Sequence, residues 1–427
     1  MTHSRRNYRL LLASQFLAAF ADNATLAVIL GQLTFLKESG KLSESQLGAL
    51  NAVYTSLFFF PYVFLAPVAG FLNDRYAKTS WLIGGNVVKM CGMIVAASSI
   101  WSGPIWQGAG YLLVGIGGCV FSPAKYGILP EIVERDRLVK ANGLLELLTV
   151  TAVLAGFIGG AVMIDTTPVF WCYVVLLLIF AGSLTFNARM TKTPDHPHVK
   201  LGLSVDEFFG NLGDLLVNPR LFRVLCGTGL FWFSAAVMKM NFQPWGLSLV
   251  HLADGPNLPT YINTRISLYV VWLTAGIVCG SFLAGRLHRV GDLRYTRVYG
   301  WGLAALITVL GTAELVYGAG YAKGDIPIVL LLVAIGTVAG CFLIPLNATL
   351  QSESQPAKLG KTIAAQNFVD NLAMLLAGAS VFVANRATIR PSEIFLFLAM
   401  FVALAVTALK VPSPKVDTER AQAIPEI

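Results

Sequence analysis

The sequence predicts an all-α membrane protein of twelve transmembrane helices in two related six-helix bundles. Three observations predict it: twelve apolar stretches of spanning length, a repeat of kinks and polar residues between the halves, and a charged content of only 13%. Soluble domains carry roughly 25% charged residues. Hydrophobic residues make up 56% of the chain and the mean hydropathy is +0.67. The spans consume almost all of the 427 residues, which leaves no length for a separate soluble domain.

The apolar stretches fall at 8–34, 47–72, 81–101, 106–129, 141–163, 167–188, 219–247, 264–285, 297–319, 327–350, 361–384 and 391–410. Each is long enough to cross about 30 Å of hydrocarbon at about 1.5 Å per residue. Lys and Arg collect on one side: Arg5, Arg6 and Arg9, then Arg75 and Lys78, Arg135, Arg137 and Lys140, Arg189, Lys192 and Lys200, and Arg286, Arg289, Arg294 and Arg297. The opposite loops hold Lys37, Lys41, Arg265, Lys323, Arg386 and Arg390. The positive-inside rule therefore puts both termini in the cytoplasm. The net charge of +8 is thus topological, and no nucleic-acid partner is expected. Arg5-Arg6, an apolar run and Ala19-Phe20-Ala21 imitate a cleavable signal peptide, but cleavage would remove the first of an even twelve spans, so none is expected.

Metal and redox chemistry find no support. All six cysteines lie within apolar spans without a CxxC pair, and read as small core residues. His196 and His198 stand in a Pro-broken loop with no further ligands nearby, so a solvated linker is expected there. No cofactor and no metal is expected, and no enzymatic activity.

The longest internal loop splits the spans six and six, giving bundles at 1–189 and 219–411, a cytoplasmic central loop at 190–218 and a cytoplasmic tail at 412–427. Pro123 and Lys125 at the end of span 4 match Pro345 and Asn347 at the end of span 10. Each is followed by a short charged loop and a polar-led span: Asn142 and Glu146 in one half, Gln366, Asn367 and Asp370 in the other. Matching kinks in two six-span halves indicate a transporter built by duplication. Gly115-Ile-Gly117-Gly118 and Gly156-Phe-Ile-Gly159-Gly160 read as close helix packing rather than binding loops.

Gly70-Phe-Leu-Asn-Asp74-Arg75-Tyr-Ala-Lys78 resembles the G-x-L-x-D-R-x-G-R signature of the major facilitator superfamily, with Ala77 for the second glycine and Lys78 for the arginine. Its physical sense is a tight turn whose acid caps or pairs across a helix end and latches one conformation. The matching segment of the second half has Gly285 in place of the acid. A wider set of blocks resembles the bacterial lysophospholipid transporters of that superfamily. It comprises the segment from Gln15 through Asp22-Asn23-Ala, Phe121-Ser-Pro-Ala-Lys125-Tyr-Gly-Ile-Leu, Leu138-Val-Lys140-Ala-Asn142-Gly-Leu-x-Glu146, Ile344-Pro-Leu-Asn347-Ala-x-Leu-Gln351 and Gln366-Asn367. The resemblance implies flipping of lysophosphatidylethanolamine and related lysophospholipids from the outer to the inner leaflet of the cytoplasmic membrane. A partner acyltransferase/acyl-ACP synthetase, expected as a separate chain, would there restore the second acyl chain. It also implies a monomer in the bilayer.

The site such a substrate needs is a cation for phosphate, an acid for an amine, amide or hydroxyl partners, and an apolar slot. Asp22 lies halfway through span 1, where a carboxylate costs roughly 2.5–3.5 kcal/mol unless it serves a wet cavity or a cation. The candidate substrate-binding residues are Asp22, Asn23, Lys125, Glu146, Lys239, Asn347, Gln366, Asn367 and Asp370; the candidate latch is Gly70, Asp74, Arg75 and Lys78. Asp22 is open to substrate contact or to an ion pair with Lys239, Lys125 to phosphate binding or snorkelling, and Glu146 to neutralising Lys125. Lys89 and Glu314 are assigned to helix packing or snorkelling. Three other classes compete. One is a proton-coupled facilitator exporting drugs or other amphiphiles. Another is an ATP-driven flippase, for which Gly360-Lys361-Thr362 is a poor P-loop because Gln355 holds the place of its first glycine. The third is a membrane acyltransferase, but no histidine here has an aspartate five residues on.

Overall fold

Every regular element among the described residues of the computed structural model is a helix; those residues are 2–134, 138–194, 201–254, 261–288, 291–318, 325–354 and 359–410. The loop with His196 and His198, the position of Gln355 and the tail after 410 lie outside them, as does the side chain of Asp74. The first half comprises α1 (Thr2–Glu38), α2 (Glu44–Phe64), α3 (Ala66–Arg75), α4 (Lys78–Ser102), α5 (Ile105–Gly127), the short α6 (Leu129–Ile132), α7 (Leu138–Thr166) and α8 (Val169–Ala188). A linking helix, α9 (Leu201–Val217), leads to α10 (Pro219–Asp254), α11 (Ile262–Leu287), α12 (Thr296–Gly311), α13 (Ala313–Gly318), α14 (Ile326–Glu353), α15 (Leu359–Arg386) and α16 (Pro391–Ala408).

Eleven of these helices are long and apolar enough to cross a membrane. The twelfth span is broken: α12 stops at Gly311 and α13 restarts after Thr312, so neither piece reaches spanning length alone. Gly311 sits where an added Cβ would lie 2.8 Å from Leu396 and 3.1 Å from the Ser392 carbonyl, so α16 presses against the chain at the break. The expected second span is also two helices. Pro67 in the first turn of α3 has no amide to donate, and the chain restarts at Ala66 with α3 turned toward the gap between the halves. The opening of α2 is fixed by a capping box, in which Ser43 Oγ accepts from the Gln46 amide and the Ser43 amide donates to Gln46 Oε1.

Glycine stripes set the closest approaches, as the sequence predicts. A Cβ on Gly117 would stand 2.4 Å from the Gly85 carbonyl, and one on Gly110 2.4 Å from that of Gly92, so α4 and α5 run backbone to backbone. Gly156 and Gly160 of α7 meet the α1 backbone at Phe20 and Ala24 in the same way. In apolar surroundings such small-residue contacts supply the packing that water exclusion supplies elsewhere. Large side chains including Leu178, Phe282, Leu330 and Leu404 remain exposed on the outside of the bundle, as a lipid-facing surface requires.

The two halves meet along two seams, α2 with α15 and α7 with α11, and α1 and α2 also touch α10 and α11. At one end, where α1 turns into α2 and α15 into α16, the seams are sealed. At the other end, where α9 lies, a cavity of 770 Å³ separates α3 and α5 from α10 and α15.

Candidate functional site

The charged centre of the first half is built around Asp22. Its Oδ2 accepts from Lys89 Nζ at 2.6 Å, with both side chains largely buried. This corrects the assignment of Lys89 to packing or snorkelling alone, and of the two readings left open for Asp22 it removes the pair with Lys239. The physical reason is Gly117. A Cβ there would fall 2.6 Å from Lys89 Cγ, so the glycine stripe of α5 leaves the channel through which Lys89 reaches α1. Phe121 and Phe180 flank the Lys89 ammonium at 5.0 and 5.9 Å. A paired charge in low dielectric is tolerated where an isolated one is not.

Lys125 lies beside this pair, buried, with its ammonium 4.7 Å from the ring centre of Tyr126. Its electrostatic neighbours are Glu146, Lys89 and Asp22. Tyr126 in turn donates to Glu146 Oε1 at 2.9 Å. The structure thus brings together Asp22, Lys125 and Glu146, and adds Lys89 and Tyr126. Asp22 Oδ1 is buried and has no hydrogen-bond partner. Asn23 is not part of the group: its amide donates to Ala19 O of its own helix at 2.9 Å.

In the second half Gln366 Nε2 donates to Asn347 Oδ1 at 2.8 Å, and Thr228, Gln366 and Trp232 surround the Asp370 carboxyl. Asp370 Oδ1 is likewise buried without a partner. Asp370 and Asn367 line the large cavity from this side, with Trp232, Phe208, Phe368 and Met374; Tyr62, Pro123 and Tyr126 line it from the other. Its volume falls in the range of about 300–1,000 Å³ typical of small-molecule sites. Tyr62 is an electrostatic neighbour of Asp22, which places the charged centre directly behind the cavity wall.

Lys239 stands apart. It lines a cavity of 30 Å³ with Phe157, Gln243, Asn263 and Ser267, its ammonium 5.2 Å from the Phe157 ring centre. No acid among the described residues pairs with it. That volume holds about two or three waters, given a need of roughly 10–15 Å³ each, so no headgroup fits there in this conformation.

Two networks close the sealed end above Lys239. Gln243 donates to Thr34 Oγ1 at 2.8 Å and to the Leu30 carbonyl, and accepts from Asn51 at 2.7 Å, tying α10 to α1 and α2. Asp165, near the end of α7, accepts from the Asn263 amide and side chain and from the Thr264 amide and hydroxyl, at 2.7–3.3 Å. Residue 261, the N-cap of α11, makes no side-chain cap. An acid of one half therefore caps a helix of the other, satisfying first-turn amides that a helix leaves open. Neither network was among the sequence candidates: an aspartate at the edge of a span reads as a loop residue until its partner helix is known.

Of the candidate latch, Gly70 lies inside α3 with open space where a Cβ would go, so the turn falls later, at Tyr76 and Ala77. Lys78 pairs with Glu131 of α6 at 2.5 Å, and Arg75 lies over the rings of Phe71 and Tyr76. Asp74 is in α3, its side chain outside the described residues.

Residues 11–378 match the model of the Major Facilitator Superfamily. The chain belongs to that superfamily. Its relatives there include the lysophospholipid transporter LplT of Salmonella newport and that of Salmonella typhimurium. Each is 32% identical over 369 residues, covering 86% of this chain and 84% of the relative. Two solved facilitator structures share the fold at low identity. The POT family transporter PepTSo superposes with a TM-score of 0.72 at 13% identity, over 95% of this chain and 97% of its own. A D-xylose-proton symporter gives 0.70 at 12%, over 97% and 99%. This facilitator is a multi-pass membrane transporter.

Proposed function

We propose that this transporter moves lysophospholipids such as lysophosphatidylethanolamine from the outer to the inner leaflet of the bacterial cytoplasmic membrane, where they are reacylated. It works by alternating access, with the sealed end outside and both termini cytoplasmic. The observation that carries the reading is the cavity between the halves: an apolar, aromatic slot backed on one side by a zwitterionic cluster. Phosphate needs a cation, and Lys125 lies beside the cavity-lining Pro123 and Tyr126. An amine needs an acid with a spare lone pair, which Asp22 Oδ1 and Asp370 Oδ1 offer. Lys239 is the cation such a phosphate meets when the sealed end opens. The name carried by the Salmonella relatives supports the same substrate class.

Residues 1–189 and 219–411 are the two bodies that rock, joined by 190–218. The transporter acts as a monomer and hands its lipid to an acyltransferase/acyl-ACP synthetase on a separate chain. The test is uptake of headgroup-labelled lysolipids by proteoliposomes, with and without a proton or sodium gradient. Lys239→Ala is expected to lower lysophosphatidylethanolamine uptake about 10–100-fold, the equivalent of one lost charge-assisted contact, with Lys239→Arg retaining more. Failure of the wild-type protein to move any lysolipid overturns the reading. Dependence on a proton gradient together with uptake of unrelated amphiphiles supports the proton-coupled exporter instead.

A further inference from the structure

A second cavity, of 420 Å³, opens at the sealed end between the halves. The first half contributes Lys37, at the end of α1, and Glu44, at the start of α2; the second half contributes Glu314 and Arg390. Each half thus brings one cation and one acid to the same hollow. Its floor is apolar, with Leu47, Pro244, Leu247 and Leu252. The broken twelfth span accounts for Glu314. α12 ends at Gly311, α13 opens at Ala313, and in its first turn the Glu314 carboxylate accepts from Ser248 Oγ of α10 at 2.6 Å. Arg390 follows the one described non-glycine residue with positive φ, Thr388 at 56°. That conformation is costly for a β-branched side chain, and such strain concentrates where a residue must be presented in a set direction. Neither Arg390 nor Glu44 has an ion-pair partner among the described residues, so these two charges do not serve to tie the seam together.

We infer that this hollow is a docking subsite for a zwitterionic phospholipid headgroup at the outer face of the transporter. Arg390 receives the phosphate, with Lys37, itself paired with Glu38 at 2.9 Å, beside it; Glu44 and Glu314 receive the amine, and the apolar floor receives the start of the acyl chain. A headgroup held there bridges the two halves at the seam that must part for the lipid to pass inward. The inference rests on the lysophospholipid reading given above, and names where the substrate first binds.

The experiment measures initial uptake of labelled lysophosphatidylethanolamine and lysophosphatidylglycerol by proteoliposomes, over a range of lipid concentration, for wild type, Arg390→Gln, Glu314→Gln and Arg386→Gln. Arg386 belongs to a neighbouring cavity of the same end and serves as the control. Arg390→Gln is expected to raise KM for both lipids about tenfold, a loss of binding before transport, with kcat changed less than twofold. Glu314→Gln is expected to raise KM for lysophosphatidylethanolamine alone, and Arg386→Gln to change neither. Unchanged KM in both cavity variants, or an equal rise in Arg386→Gln, overturns the subsite while leaving the lysophospholipid reading in place. Absence of lysolipid uptake by the wild type overturns both.

Discussion

The two ends of the molecule are held in different ways. At the sealed end the halves touch through buried amides, a carboxylate that caps a foreign helix, and glycines that admit a neighbour where a side chain would collide. A Cβ on Gly48 would lie 1.8 Å from Asn385 Oδ1, and one on Gly378 1.6 Å from Ser56 Oγ. At the open end the amphipathic α9 lies against both α3 and α15, and its Glu207 pairs with Lys361 at 2.7 Å with both side chains exposed. Phe208 of α9 reaches the cavity mouth and meets the Phe368 ring at 5.7 Å. An exposed ion pair contributes about 0–1 kcal/mol, whereas a buried network that loses one partner costs about 1–3 kcal/mol per group left unsatisfied. The contacts at the sealed end are therefore the stronger constraint between the halves, and those at the open end the weaker.

The largest effect should come from packing. Gly378→Val puts a branched side chain where Ser56 now sits, and is expected to hold the sealed end apart. Distances between spin labels at Ser45 and Thr388, across the α2–α15 seam, would lengthen, and transport would fall at least tenfold. An unchanged distance distribution would show that the seam does not depend on this contact.

Asp165→Ala comes next. Four accepted hydrogen bonds are lost and the first turn of α11 is left to water, so the outward-open population should rise by about 5–150-fold, the range of couplings of 1–3 kcal/mol. The same pair of labels reads it on a seam remote from the mutation. A purely local change near α11, with the α2–α15 distance unaltered, would break the claim that the sealed end moves as a unit. Gln243→Ala should shift the same equilibrium less, by about tenfold, since Thr34 can bond within its own helix while Asn51 loses its acceptor.

Glu207→Gln should have the smallest effect. Loss of the exposed pair is expected to change uptake by less than about fivefold, and high salt should mimic it in the wild type. A larger effect would mean that α9 holds the open end as firmly as Asp165 holds the other.

Much of this was legible in the sequence, and the exceptions share one cause. Periodicity, span length and the glycine stripes depend on residues close together in the chain, and the helices and their close contacts follow them. Position along the helix was also readable: Asp22 lies near the middle of α1 against a cation. Which way it faces was not. Partner choice depends on the rotation of one helix against another: the sequence leaves Asp22 open between substrate and Lys239, and the gap at Gly117 brings Lys89 to it. The Asp165 cap and the Ser248–Glu314 contact at the outer hollow are set by contacts between helices far apart in sequence, which no local pattern announces.

In the proposed cycle lysophospholipid passes only when the sealed end opens. Cysteines at Gly48 and Asn385, whose side chains would adjoin, lock that end when oxidised; native cysteines are first replaced. Uptake of headgroup-labelled lysophosphatidylethanolamine by proteoliposomes of this double variant should stop under oxidant and return on reduction. Uptake that continues unchanged with the disulfide fully formed would contradict the account.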